Sequence, residues 1–228
     1  MKVVFLGDSI TKGERPGGTV KAEQTFVSLV EKEMESAGFS VQFINSGIPD
    51  IWTGPILENK ARKLTENVIA WKPQITVDML GTNDAFVDKG NSPVPRCPSV
   101  DQYKINMRRI IKEIQNSGSI VVLMTPPMQD SAFVKVYAWA PYSDTHDANC
   151  LLNRYVEACR QVANELGPSL VDNYAKWGDA KSKGQDLALW LLDGCHPNPI
   201  GHKLIADAVL PVLTPLMSRT WLFPEQAL

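Results

Sequence analysis

Apolar and polar positions along this chain switch repeatedly between the strand period and the helix period. Val3-Val4-Phe5-Leu6 is an unbroken apolar run with two β-branched members, ended by Gly7. Such a run predicts a strand buried on both faces, as in a parallel sheet. From Thr25 to Ala37 the period lengthens. Phe26, Val30, Met34 and Ala37 form one helical stripe, stopped by Gly38. Val41–Ile44 and Ile75–Leu80 repeat the strand pattern, and a helix is expected over Leu57–Ala70 between them. Ser99 with Gln102 has the capping-box spacing, and the helix it opens carries Tyr103, Met107, Ile110, Ile111 and Ile114 on one face. Ile120–Met124 reads as a fourth strand, Asn149–Leu166 as a helix and Leu170-Val171 as a short fifth strand. Asn198 and Pro199 suit the N-cap and first position of a last helix, which Pro211 is expected to end or kink.

Strand and helix thus alternate five times. That pattern argues a single α/β domain over residues 1–228, with a parallel sheet and helices on both faces. Two stretches lack periodicity, Ala85–Pro98 and Met128–Ala148. Both follow strands at their carboxyl ends, the edge where open α/β sheets bind ligands. Asp78 fits badly, because it falls inside the third strand run and a buried carboxylate needs a partner that the sequence does not name.

Composition narrows the function. The chain has 228 residues, 44% of them hydrophobic, which suffices for a sizeable core. A net charge of -2 gives no general attraction to nucleic acid or anionic membrane, so no nucleic-acid partner is expected. No run approaches the roughly 20 apolar residues of a membrane span, so stable membrane insertion is not expected. After Met1-Lys2 only four apolar residues precede Gly7, far short of a secretory h-region of about 7–15. Cys97, Cys150, Cys159 and Cys195 include no Cys-x-x-Cys pair. Reduced thiols in a cytoplasmic protein are the expectation, and secretion would require a leader ahead of this sequence. Oligomeric state is not legible.

Three short motifs carry chemistry. Gly7-Asp8-Ser9-Ile10 ends the first strand, where a sharp turn would expose the Ser9 hydroxyl and lead into a helix whose amino end favours developing negative charge. The same residues also suit an ordinary turn. In Asp193-Gly194-Cys195-His196-Pro197, the spacing lets the Asp193 carboxylate fold back on one ring nitrogen of His196, leaving the other free to take a proton from a serine. In Gly81-Thr82-Asn83-Asp84, the Asn83 amide can donate to an oxyanion, as can the backbone N–H groups of Ser9 and Gly47. His202, early in the last helix, reads as a packed or surface residue, and His146 as a solvated one. Gly-x-Ser-x-Gly and Gly-x-Gly-x-x-Gly are absent, and no spacing of Cys195, His196 and His202 fits a zinc site.

As a set, these blocks resemble the SGNH (GDSL) hydrolase superfamily. Gly7-Asp8-Ser9-Ile10 matches the first block, Asn45-Ser46-Gly47 part of the second, Gly81-Thr82-Asn83-Asp84 the third and Asp193–Pro197 the last. The resemblance implies a three-layer α/β/α, flavodoxin-like fold with about five parallel strands, and needs no metal or cofactor. It implies Ser9 as nucleophile with His196 and Asp193 completing the triad, and an oxyanion hole from Ser9, Gly47 and Asn83. The second block departs from the family pattern: Asp50 stands where a second glycine is common.

The function implied is hydrolysis of a small ester or O-acetyl group through an acyl-enzyme. An acyl-thioesterase or lysophospholipase-type enzyme is the alternative, and would need a long apolar groove. A non-catalytic carbohydrate- or lipid-binding module is the third reading, disfavoured because Ser9, Asp193, His196 and Asn83 are all present. Residues 133–142 hold four aromatics, so Trp139 and Tyr142, with Trp52 and Asp84, are the expected pocket residues. Aromatics there equally suit a cluster packed against the domain.

Overall fold

The structure is a computed structural model that describes residues 1–15, 18–58, 63–87, 96–97, 99–130, 147 and 149–222. Its centre is a sheet of five parallel strands: β1 (Lys2–Gly7), β2 (Gln42–Gly47), β3 (Ile75–Met79), β4 (Ile120–Met124) and β5 (Ser169–Val171), in the order β2-β1-β3-β4-β5. This is the flavodoxin-like order, with the topological switch beside β1.

Period-2 alternation sends β1 into two separate cores. Val4 and Leu6 face one core with Leu123. Val3 and Phe5 face the other with Val77, Val122 and Met124. The first is covered by α4 (Val100–Asn116) and α5 (Asn149–Leu166), the second by α2 (Phe26–Ser36), by Trp177 of α6 (Asn173–Ser182) and by α7 (Pro199–Leu222). Val3, Val4 and Phe5 are fully buried, which is why the first run is continuously apolar.

Four sequence expectations need correction. Residues 57–70 do not form one helix. A helix α3 (Thr53–Glu58) precedes a separate turn at Leu64–Asn67 and a 3-10 turn at Ile69–Trp71. The Asn67 amide donates to the Lys63 carbonyl, the Asn67 carbonyl accepts from Ser46 Oγ at 2.7 Å, and Val68 leaves helical geometry at φ −128°. Those side-chain bonds end the turn.

The capping box at α4 is half made. Ser99 Oγ accepts from Gln102 N at 3.0 Å, but the Gln102 amide donates to Asn106 Oδ1 rather than turning back.

Of the two outcomes expected at Pro211, an end to the helix is the one corrected: α7 runs on through Pro215 to Leu222. A helix-interior proline costs about 3 kcal/mol. Val209, Leu213 and Met217, fully buried at four-residue spacing, each supply about 1.5–3 kcal/mol, a total of the same order as the cost of both prolines.

Finally, Pro199–Arg219 is long and apolar enough to cross a bilayer by length and composition. Its apolar stripe is the lid of the second core, and Asn198 Oδ1 caps its start by accepting from Ile200 N and Gly201 N.

Candidate active site

The carboxyl ends of β1, β2 and β3 converge with the loop before α7. Gly7 closes β1 in register with Gly47 of β2 and Met79 of β3. A Cβ at Gly7 would lie 2.0 Å from Thr11 Oγ1, so only glycine lets the chain fold back this tightly. Asp8 is the N-cap of α1 (Ser9–Lys12), its Oδ1 accepting from Ile10 N at 2.9 Å. Gly13 closes α1 at φ 81°. The helix expected after Ser9 is therefore a single turn, and it holds Ser9 at the edge of a cavity.

The second motif is a compact turn built on one carboxylate. Asp193 Oδ1 accepts from Cys195 N at 3.1 Å and from His196 N at 2.8 Å, and Oδ2 lies 2.9 Å from His196 Nδ1. A Leu191–Pro197 bridge and the Leu192 N to His196 carbonyl bond at 2.8 Å close the loop. His196 Nε2 then sits 2.9 Å from Ser9 Oγ, across 187 positions of sequence. Burial raises the Asp193 carboxyl. The hydrogen bonds from the His196 ring and backbone, with the imidazole charge, outweigh burial and hold it well below the ordinary carboxylate value. An anionic Asp193 keeps the proton on Nδ1 and leaves Nε2 able to accept the serine proton.

The two further oxyanion donors expected from sequence differ in geometry. Asn83 lines the cavity with Ser9 and His196. Its Nδ2 donates one hydrogen to the Ile51 carbonyl at 2.9 Å, which orients the amide and leaves the second hydrogen. Gly47 is a correction. Its N–H donates to Asn45 Oδ1 at 2.9 Å, so this geometry does not offer it to an oxyanion. The requirement for glycine there is steric, because a Cβ would lie 2.3 Å from Lys12 N.

The expected pocket residues also change. Asp84 is fully buried and turned away from solvent, its Oδ1 accepting from Thr53 N at 3.2 Å and Thr53 Oγ1 at 2.5 Å. Asn106 Nδ2 donates to that same Thr53 hydroxyl at 2.9 Å. Asp84 thus organises the loop under Asn83. Trp52 packs against the first core and over Gly54, and is not among the described residues lining the cavity. Trp139, Tyr142 and His146 lie outside the described residues. The cavity, about 320 Å³, is walled instead by Glu14, Arg15, Pro49, Asp50, Phe86 and Arg96. Sequence reasoning missed all of these as walls. Only the aperiodic run after β3 hinted at Phe86 and Arg96. Asp50 adopts φ 66°, the left-handed backbone for which glycine is usual, and pairs through its carboxylate with Arg96. Aspartate is among the few side chains that tolerate this conformation. The Arg96 guanidinium lies 4.7 Å from the Phe86 ring centroid.

Under this rim lie three fully buried carboxyls. Burial raises Asp8 to about 6, Asp84 to about 7 and Asp78 to about 8, and mutual repulsion adds to the rise at Asp78 and Asp84. Neither oxygen of Asp78 has a hydrogen-bond partner among the described residues. His202 is also buried, its ring stacked on Phe26 and its Nδ1 accepting from Phe26 N at 3.2 Å; burial lowers it to about 4. All four cysteines are free thiols. Among the described residues, no group of three or more His, Cys, Asp or Glu is placed to hold a metal ion.

Residues 5–204 match the GDSL-like lipase/acylhydrolase family. The chain is 28% identical over 233 residues to the isoamyl acetate-hydrolyzing esterase 1 homolog of Mus musculus, covering 98% of this chain and 86% of that protein. The GDSL esterase/lipase CPRD49 of Arabidopsis thaliana is 27% identical over 148 residues, 63% of this chain and 56% of its own length. Among solved structures, Axe2, an acetylxylan esterase from Geobacillus stearothermophilus, superposes with a TM-score of 0.69 at 25% identity over 92% of each chain.

Proposed function

The chain belongs to the GDSL-like lipase/acylhydrolase family, and from that premise we propose that it is a serine esterase that cleaves short-chain acyl or O-acetyl esters through an acyl-enzyme. The observation that carries this reading is the continuous relay Asp193–His196–Ser9, with contacts of 2.9 Å at both ends of the imidazole, opening on a cavity.

His196 Nε2 takes the proton as Ser9 Oγ attacks the acyl carbonyl. Asp193 stabilises the imidazolium. The oxyanion is held by the Ser9 N–H and the second hydrogen of Asn83. His196 returns the proton to the departing alcohol, and water hydrolyses the acyl-enzyme by the same route. Two further facts support a small acyl group. The cavity, about 320 Å³, is at the low end for ligand pockets. The relatives include esterases named for isoamyl acetate and acetylxylan.

The test is hydrolysis of p-nitrophenyl esters from acetate to long chains by wild type and Ser9→Ala. The expected result is activity greatest on acetate and lost in Ser9→Ala. A long-chain optimum would move the reading to a lipid or thioester substrate, and equal rates in both proteins would remove Ser9 from the reaction.

A further inference from the structure

Two arginines line the cavity beside the relay, in different states. Arg96 is engaged: it pairs with Asp50 and lies over Phe86. Arg15 is not. It forms no ion pair among the described residues, and its Nε is buried with no hydrogen-bond acceptor among them. Arg15 sits on a two-residue antiparallel ladder, Glu14–Arg15 against Gly18–Thr19, reached directly from the turn that carries Ser9. Its guanidinium rests against Gly18, where a Cβ would meet Nη2 at 3.7 Å and Nε at 3.8 Å. A buried guanidinium donor without an acceptor is unfavourable, and a ligand that supplies one relieves it. A guanidinium fork matches a carboxylate with two parallel hydrogen bonds. The neighbouring Phe86 and Pro49 provide apolar contact for the body of such a ligand.

We propose that Arg15 is a specificity-determining residue that selects esters bearing a carboxylate, the acyl group going to Ser9 and the carboxylate to Arg15. The proposal rests on the esterase reading above. Of the two acidic residues lining the cavity, Asp50 pairs with Arg96, whereas Glu14 forms no ion pair among the described residues. Glu14 therefore opposes the anion and limits the preference that Arg15 creates.

The probes are 3- and 4-acetoxybenzoate, compared with their neutral methyl esters. The ratio of kcat/KM for anion over neutral ester is read in wild type, Arg15→Met, Arg15→Lys and Glu14→Gln. For at least one isomer the ratio is expected to fall about tenfold in Arg15→Met, the loss of one charge-assisted contact, to fall less in Arg15→Lys, and to rise in Glu14→Gln. A ratio unchanged within about twofold in both arginine variants, for both isomers, would overturn the proposal. Calorimetric binding of 3- and 4-hydroxybenzoate to wild type and the Arg15 variants gives a second readout that needs no turnover. If wild type hydrolyses none of the esters, the esterase reading fails. Weaker hydroxybenzoate binding in both variants would still support the Arg15 subsite, and equal binding would reject it. Arg15→Lys keeps the charge and stem, so the test stands if Arg15→Met does not fold.

Discussion

Oδ1 of Asn45 accepts the Gly47 N–H at 2.9 Å, while Nδ2 of the same amide donates to the Thr11 carbonyl at 2.9 Å. One side chain thus ties the end of β2 to the helical turn that carries Ser9, and it occupies an N–H that the family resemblance assigned to the oxyanion. Asn45→Ala is expected to cost about 1–2 kcal/mol of stability for two lost hydrogen bonds, with kcat of the folded variant changed by no more than about threefold. Denaturant titration and steady-state kinetics check this. A rise or fall in kcat of about a hundredfold at unchanged stability would return the catalytic role to Gly47.

In the proposed mechanism Asn83 is the side-chain donor to the oxyanion. Asn83→Ala should lower kcat by about 10²–10³ with little change in KM, because the lost contact forms only as charge develops. The bond to the Ile51 carbonyl is also lost, at about 1 kcal/mol of stability. A change confined to KM would argue against this role.

Asp193→Asn separates the two tasks of that carboxylate. The amide oxygen can still accept the Cys195 and His196 N–H groups, so the turn should survive. Its NH2 would face Nδ1 and force the proton onto Nε2, where it cannot take the serine proton. A fall in kcat of about 10⁴ with an unchanged circular dichroism spectrum is the expected outcome. Activity within about tenfold of wild type would show that Asp193 does not set the tautomer.

Asp78 links stability to pH. Its folded value, raised to about 8, lies above the ordinary 3.8. Between those values the unfolded chain has released the proton and the folded chain still holds it, so this group's contribution declines as pH rises from about 4 to 8. Asp78→Asn keeps the shape and cannot ionise. Its stability relative to wild type should grow by the order of a few kcal/mol between pH 5 and pH 8.5, read from urea titrations. Parallel pH profiles for the two proteins would show that Asp78 is not the source.

His202 has the opposite sign. Its value lowered to about 4 means that its contribution is complete above the ordinary 6.5 and is lost as pH falls from 6.5 towards 4. His202→Gln should flatten the acid side of the wild-type stability profile, and an unchanged acid limb would exclude it as the origin.

Features that depend on near neighbours in the chain can be read from the order of residues alone. Continuous apolar runs placed the five strands and a period of 3.6 the bounds of α5, because both faces of β1 and one stripe of each long helix must be buried. The pairing of Asp193 with His196 was legible because three residues suffice to fold a carboxylate onto a ring, whereas Ser9 alone also suited an ordinary turn and stood out only through the set of blocks that resembles the SGNH hydrolases. Tertiary structure alone decided the rest. That Ser9 meets His196 depends on a sheet edge joining positions 187 apart. That Pro211 is helical depends on the core under Val209, Leu213 and Met217, which outweighs local propensity. That Gly47 yields its N–H to Asn45, and that Asp84 turns inward to Thr53, depends on which polar groups lie nearest once the loops are packed. Buried donors and acceptors take the partners that the fold brings within reach, and a linear pattern carries no record of them.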